Sequence, residues 1–473
     1  MKRSRWLADR VSTLAVALGL DAGIQNKAML ATAVVSAGER GAYLAQAVLT
    51  GRIPLEQDVR SQLAEFSADR VAALDALIVA TRAAHRFRKP IRVVLESGLV
   101  VDVTDTSRSE FTTGIQRVAR ELVGAAFRLG RDPRIVAWNT HTGELFSVVG
   151  DAASRAGAPA LRDCERYLVV PDGAQLLLPE IAVDRDRAQR LATIALFGSS
   201  TSVAVGFDCI PVTTAETAGP GMPGAFSRYL AGIARFSTIV AISGAARAEF
   251  RGWSHMLPSA GMPVPLIDQV DLPVTPIDVV PAVAAELRQE FSLDDNPVVL
   301  SVGSHEPRKN HLVVLMAAEL LWREGIEFTM VFVGGNSWRS EEFTDLVARL
   351  QVRGRQIRLV SNAPDAQVSG FYALAAVSVF CSVNEGYGLP VAESLAMGTP
   401  VVTANFGSQR DIGRDHGATM VDPRDPAEIA SSVRTILIDS HHSDRLVAQA
   451  HSIRPSNWTA YSEQILSRLG PRG

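Results

Sequence analysis

The sequence predicts an α/β protein: two consecutive doubly wound, Rossmann-like domains behind a helical extension. Three observations carry this. Short β-branched runs alternate with amphipathic helical stretches from Ile91 onward, a stretch at 264–285 with four prolines interrupts them, and the alternation then resumes to the end of the chain. Strand, helix, strand repetition makes a parallel sheet with helices on both faces.

Residues 1–88 are Ala-rich, with Leu, Val and Arg at helical spacing and only Pro54 in the way. They read as a helical extension. Two roles stand open for it: packing on the next domain, or a peripheral membrane contact through Lys2, Arg3, Arg5 and Trp6. The start is basic and then apolar, but Asp9 and Arg10 break the apolar part and no small-residue cleavage site follows. An amphipathic helix fits this better than a signal peptide.

The first domain is expected over 89–272. "IRVVLESGLVVDVTD" is strand-like, and "TTGIQRVARELVGAAFRLG" is an amphipathic helix with Gly130 just past its end. "RIVAWNT", "RYLVVP", "TSVAVGFD" and "FSTIVAIS" are further strands. Residues 273–285 are the linker. The second domain, 286–455, alternates "PVVLSVGS", "FTMVFVGG", "IRLVSN", "VSVFCSV" and "PVVTAN" with helices. A last helix in 456–473, "NWTAYSEQILSRLG", is expected to return to the first domain. Ligands of such sheets bind off the carboxyl ends of the strands, so the cleft between two facing domains is the expected site.

Composition narrows the class. A hydrophobic content of 47% and a charged content of 21% are those of a soluble globular protein. A net charge of -3 gives no general affinity for nucleic acid. Cys164, Cys209 and Cys381 are odd in number and scattered, which implies neither a disulfide framework nor a zinc site and fits a reducing cytoplasm. The longest uncharged apolar run, 191–207, is broken by Gly-Ser-Ser-Thr-Ser and reads as two buried elements.

The chemistry concentrates in "NEGYGLPVAES", 384–394. Val383 ends a buried strand and Pro390 stands where a helix begins, so Glu385 falls on the loop at the cleft mouth and Glu393 in the helix's first turn. Gly386 and Gly388 leave amides uncovered, and these amides with the helix N-terminus suit a phosphate. A carboxylate is an acceptor, and a sugar offers hydroxyl donors. One loop thus serves a ligand with phosphate and sugar parts. In "VGSHEPRKNH", 302–311, Arg308 and Lys309 project at the same cleft edge and suit a diphosphate. Taken alone, Glu393 also reads as a helix-dipole acid, Glu385 as a turn residue and the basic loop as solvated.

"VGSHEPRKNHLVVLMAAELL", "VFVGGNSW", "NEGYGLPVAESLAMGTPVV" and "VDPRDPAEIASSV" resemble the retaining, GT-B-fold glycosyltransferases of family 4. The likeness is to the mannosyl- and rhamnosyl-type enzymes of bacterial surface polysaccharide assembly. "TTGIQRVAREL", "VVPDG" and "FDCIPV" extend it more thinly into the first domain. The resemblance implies that the second domain binds a nucleotide-sugar donor and that the acceptor is a glycan or glycolipid. Lys309 and Arg308 would hold the diphosphate, with Ser304 beside them. Glu385 would contact sugar hydroxyls and Glu393 the ribose, while Gly386, Tyr387, Gly388 and Leu389 supply amides. Gly114, on the loop before the first domain's helix, would face the diphosphate and the acceptor. No cofactor and no metal is implied, and the setting is cytoplasmic, or peripheral at the inner face of the membrane.

Several positions depart from the family pattern. Gly303-Ser304 stands where Gly-Arg is common, and Arg308 is the substitute. Phe207 stands where many members have a histidine on the sugar's 6-hydroxyl. A ring pairs poorly with that hydroxyl, which favours a 6-deoxy sugar; the other reading is a core phenylalanine. "GSQRDIG", 407–413, lacks the usual acid after a proline, and Asp411 is the stand-in. Asp208 reads equally as a base or acceptor-positioning group and as the cap of the "IPVTTAE" turn. "DRD", 184–186, has the spacing of metal-dependent transferases but lies in an Arg-rich helical run and reads as a solvated helix face. The competing classes are a non-catalytic nucleotide-sugar-binding or scaffold protein and a nucleotide-sugar epimerase. A dehydrogenase is excluded, because no Gly-x-Gly-x-x-Gly opens either domain.

Overall fold

The computed structural model describes residues 2–23, 26–85, 91–109, 113–159, 165–274, 281–293, 296–451 and 456–471. Cys164 and residues 275–280 of the expected linker fall outside them.

Five helices, Lys2–Ala17, Lys27–Ser36, Gly38–Thr50, Glu56–Ala68 and Arg70–Ala84, make the extension. They share one hydrophobic core with the first lobe. Tyr43 donates to the Pro171 carbonyl at 2.9 Å, and Arg10 to the Leu49 carbonyl at 2.7 Å. Of the four residues considered for a membrane contact, Trp6 is half-buried, its ring 5.0 Å from that of His85. The side chains of Lys2, Arg3 and Arg5 lie outside the described residues. No described helix is long and apolar enough to cross a membrane.

The first lobe is a nine-stranded sheet: β1 (Val93–Glu96), β2 (Leu99–Asp102), β3 (Arg134–Asn139), β4 (Glu144–Ser147), β5 (Leu168–Pro171), β6 (Ala174–Leu178), β7 (Ser199–Gly206), β8 (Thr238–Ala241) and β9 (Leu266–Gln269). Their spatial order is β1-β5-β4-β3-β2-β6-β7-β8-β9. The parallel sheet expected from the sequence is corrected at β4, which runs antiparallel to β3 and β5. Asn139 and Glu144 close a short hairpin, and a short turn joins only antiparallel strands. The prolines at 264–285 do not make that stretch wholly irregular either: β9 lies within it and the helix Pro281–Glu290 begins there.

The second lobe holds β10 (Val298–Val302), β11 (Thr329–Val333), β12 (Ile357–Val360), β13 (Ala375–Phe380), β14 (Val401–Ala404) and β15 (Ala418–Val421). All are parallel, in the order β12-β11-β10-β13-β14-β15. The order reverses between β10 and β13, so the loops after these two strands flank one crevice. In the first sheet the reversal falls between β2 and β6.

The chain crosses between lobes twice. After the second lobe, the helix Trp458–Ser467 packs Tyr461, Ile465 and Leu466 into the first lobe's core. Gln175 donates to the Leu469 and Pro471 carbonyls at 2.9 and 2.7 Å. The two crossings touch: the Ser456 amide bonds the Val274 carbonyl, and the Val274 amide bonds the Ser456 hydroxyl, each at 3.0 Å.

Candidate active site

Lys309 and Arg308 lie in the single 3-10 turn Pro307–Lys309 after β10, and Glu385 in the loop after β13. A backbone bond from the Val383 amide to the Arg308 carbonyl, 2.9 Å, ties the loops together. Lys309 Nζ reaches Glu385 Oε1 at 2.6 Å, and Arg308 reaches the same oxygen at 2.8 Å. Arg308 also meets Glu306 at 2.5 Å and donates to the Asn384 carbonyl at 3.0 Å. Two cations and two carboxylates therefore form a neutral cluster in the crevice.

Burial alone would raise the Glu385 pKa, but Lys309 and then Arg308 reverse this and hold it at about 2. Burial likewise opposes the Arg308 charge, and Glu385 and Glu306 outweigh it. Glu385 and Arg308 therefore hold their charges at neutral pH.

The loop backbone is shaped by two close approaches. A Cβ on Gly334, after β11, would meet the Gly303 carbonyl oxygen at 2.0 Å, so only glycine lets the loops after β10 and β11 nest. A Cβ on Gly386 would meet the Phe207 carbonyl oxygen at 2.4 Å and Asp208 Oδ2 at 3.0 Å, so here the lobes meet backbone to side chain and backbone to backbone. The amides of 386–389 make no bond among the described residues. Ser304 lies in the loop after β10, where the Glu306 amide bonds its carbonyl at 2.8 Å.

Two expectations, on where the helix after Gly388 begins and on Gly114, need correction. Gly388, in the left-handed region at φ 99°, is the N-cap of the helix Leu389–Ala396, so Pro390 is its second residue and Glu393 its fifth, beyond the first turn. Tyr387 is buried and its hydroxyl donates to the Leu272 carbonyl at 2.7 Å, so its side chain serves the lobe interface. Gly114 is the first residue of the helix Gly114–Arg128, capped by Thr113, rather than a loop residue. It does face the opposite lobe: a Cβ there would be 3.3 Å from Leu389.

The ring of Phe207 is 5% exposed and belongs to the core. Asp208 accepts from the Ile210 amide at 3.1 Å, as a turn cap does. Burial pushes its carboxyl up to about 6, against the pull of Arg308. Burial also lifts Glu393 to about 7, with Arg117 drawing it back. Tyr372 donates to Glu393 at 3.4 Å. Asp411 is half-exposed beside Arg410 at 3.5 Å. Asp184 caps the helix Arg185–Thr193 by accepting from the Arg187 amide.

Sequence reasoning missed the groups that come from far away. Arg117, one turn after Gly114 on the same helix, lies 3.9 Å from Glu393 across the crevice. Glu249 accepts from Asn384 at 3.1 Å and from the Cys209 amide at 2.7 Å, joining the lobes beside Asp208. Ser408 donates to the Glu385 carbonyl at 2.9 Å, and Ser243 to the Gly386 carbonyl at 2.5 Å. At the other sheet's reversal point, buried Arg187 pairs with Asp102 at 3.0 Å, with Asp105 at 2.7 Å and with Glu180. Glu180 also accepts from the Asp105 and Thr106 amides at 2.8 and 3.0 Å, fixing the loop that leads to Gly114. The spacing of Arg117 after Gly114 was the one local signal among these.

Residues 283–452 match the family described as glycosyl transferases group 1. That match spans most of the second lobe. The serotype-specific mannosyltransferase WbdA of Escherichia coli is 23% identical over 449 residues, covering 92% of this chain and 52% of WbdA. The O-antigen chain mannosyltransferase B of Escherichia coli is 32% identical over 174 residues, 37% of this chain and 45% of that protein. The chain thus spans about half the length of the curated relatives it matches. The crystal structure of Anabaena HepE in complex with UDP-glucose aligns with a TM-score of 0.57 at 15% identity, covering 79% of this chain and 99% of HepE. At that identity the likeness is one of fold, and the fold is GT-B. In the second lobe the switch-point loops supply the cations and the acid, and the first lobe supplies the opposing wall.

Proposed function

We propose that this protein is a retaining, metal-independent glycosyltransferase. It moves a hexose or 6-deoxyhexose from a nucleoside-diphosphate sugar to a glycan or glycolipid acceptor in surface polysaccharide assembly. The observation that carries the reading is the convergence of Glu385, Lys309 and Arg308 at the switch point, beside four unbonded amides and opposite Gly114. The mannosyltransferase relatives and the UDP-glucose complex of HepE support the donor class.

The diphosphate lies against Lys309, Arg308 and the amides of 386–389, which stabilise the charge that develops as it leaves. Glu385 turns its second oxygen, Oε2, to a sugar hydroxyl, and Glu393 takes the ribose. The acceptor oxygen attacks the anomeric carbon from the side the phosphate leaves. The new C–O bond forms as the bond to phosphate breaks, and the acceptor's proton passes to the departing phosphate oxygen. Asp208 positions the acceptor. The basic groups and amides do what a metal does in other transferases.

The test is release of nucleoside diphosphate from a panel of nucleotide sugars, with and without an oligosaccharide acceptor. Nucleotide-activated mannose, rhamnose and fucose compete in the same assay. Acceptor-dependent turnover lost in both Lys309→Ala and Glu385→Ala is expected. Turnover unchanged in both variants defeats the proposal, and binding without turnover in the wild type would mark a non-catalytic binder.

A further inference from the structure

A second cavity, of 590 Å³, opens between the helical extension and the first lobe. Ligand pockets commonly run to ~300–1,000 Å³. The extension's last three helices form one wall, and the tip of the β3–β4 hairpin with Arg190 forms the other. None of the crevice residues takes part.

The unused hydrogen-bonding capacity of this lining is one-sided. Its carboxylates are occupied: Asp58 accepts from the Leu55 amide at 3.1 Å, and Glu65 from Gln62 at 2.8 Å. Its donors are not. Arg190 gives one guanidinium nitrogen to the Ile53 carbonyl, but its Nε is buried with no partner. The Arg52 guanidinium makes no hydrogen bond or ion pair among the described residues. Thr81 is 1% exposed, and its hydroxyl has no partner. Buried polar groups are ordinarily paired, and guanidinium forks match oxyanions. Burial lowers the pKa of Arg190, Asp186 and Asp58 raise it, and Arg52 lowers it again, so the two cations lie within each other's field.

We propose that this cavity is a binding site for an oxyanion-bearing saccharide, a carboxylated or phosphorylated sugar, whose anion is held by Arg52 and Arg190 and whose oxygen meets the Thr81 hydroxyl. Its natural occupant is a residue of the acceptor glycan; that clause rests on the transferase reading, while the anion site does not. The extension then has a task beyond packing, because it builds most of the wall.

Titration calorimetry on the full chain tests this with glucose 6-phosphate, glucuronate, inorganic phosphate and glucose. The expectation is that glucose 6-phosphate or glucuronate binds at least ~10-fold more tightly than glucose, the scale of one added charge-assisted bond. Tighter glucose 6-phosphate, with inorganic phosphate competing, assigns a phosphate; tighter glucuronate assigns a carboxylate. Arg52→Gln and the near-isosteric Thr81→Val each weaken the bound anion, and Lys309→Ala leaves it bound. The proposal is overturned if neither anionic sugar binds more tightly than glucose, if Arg52→Gln binds like the wild type, or if Lys309→Ala abolishes the binding. Binding of the nucleotide-sugar donor in the absence of acceptor, read separately, reports on the crevice alone.

Discussion

Replacing Glu385 with Gln keeps the side chain's shape and removes one charge from a neutral cluster. Its carboxylate is 9% exposed and lies 2.6 and 2.8 Å from Lys309 and Arg308. The carboxyl is held at about 2 in the fold against an ordinary 4.5. At ~1.4 kcal/mol per tenfold change in proton affinity, that gap corresponds to roughly 3 kcal/mol of stability at neutral pH. The value agrees with the ~3–5 kcal/mol lost when one partner of a buried ion pair is removed. At ~2–4 °C per kcal/mol for a lobe of this size, Glu385→Gln should lower the second lobe's melting temperature by roughly 6–12 °C at pH 7.5. The sign follows from a depressed acid: the contribution is complete above 4.5 and is lost as the pH falls towards 2. At pH 3 less than half of the melting gap between wild type and variant should remain. Calorimetric melts at the two pH values decide it. A variant that melts with the wild type at pH 7.5, or a gap that stays constant down to pH 3, would refute the assignment of Glu385 as the ionised centre of the crevice.

Two further outcomes follow from the crevice. In Gly386→Ala the new Cβ would meet the Phe207 carbonyl oxygen at 2.4 Å, so the lobes shift apart. Transfer should fall by about 10²-fold, as for a displacement on the order of 1 Å, while a melt shows both lobes still folded; wild-type turnover would remove the close approach from the mechanism. Glu393, lifted to about 7 by burial, carries its charge only above that pH. Donor affinity measured by fluorescence titration should therefore rise from pH 6 to pH 8 in the wild type and lose that rise in Glu393→Gln, whereas an unchanged profile in the variant would assign the titration elsewhere. Folding itself loses stability from this group as the pH climbs from 4.5 through about 7, since the folded state holds the proton more tightly.

What the sequence made legible was local. Arg308 and Lys309 follow β10 directly and Glu385 follows β13 directly, and a doubly wound sheet brings the loops after neighbouring strands together at the reversal of strand order. Motif and topology therefore agree there. Glu393 was placed one residue too early because the left-handed Gly388, rather than Pro390, sets where the helix begins. The strand β6, "AQLLL", lacks the β-branched residues that mark its neighbours and is fixed by its parallel pairing to β2 and β7. The strand β4 has four residues and draws its identity from a hairpin partner. Arg117 and Glu249 act across the lobe junction, and no short-range pattern reports a partner more than a hundred residues away.

The paired crossings at Val274 and Ser456 carry a mechanical consequence. Two covalent tethers bonded side by side act like the pin of a door: they hold the halves along one line and resist sliding or twisting across it. Because Tyr461, Ile465 and Leu466 anchor the second tether in the first lobe's interior, shortening the chain before Trp458 would strip half of the pin and unseal that interior at once.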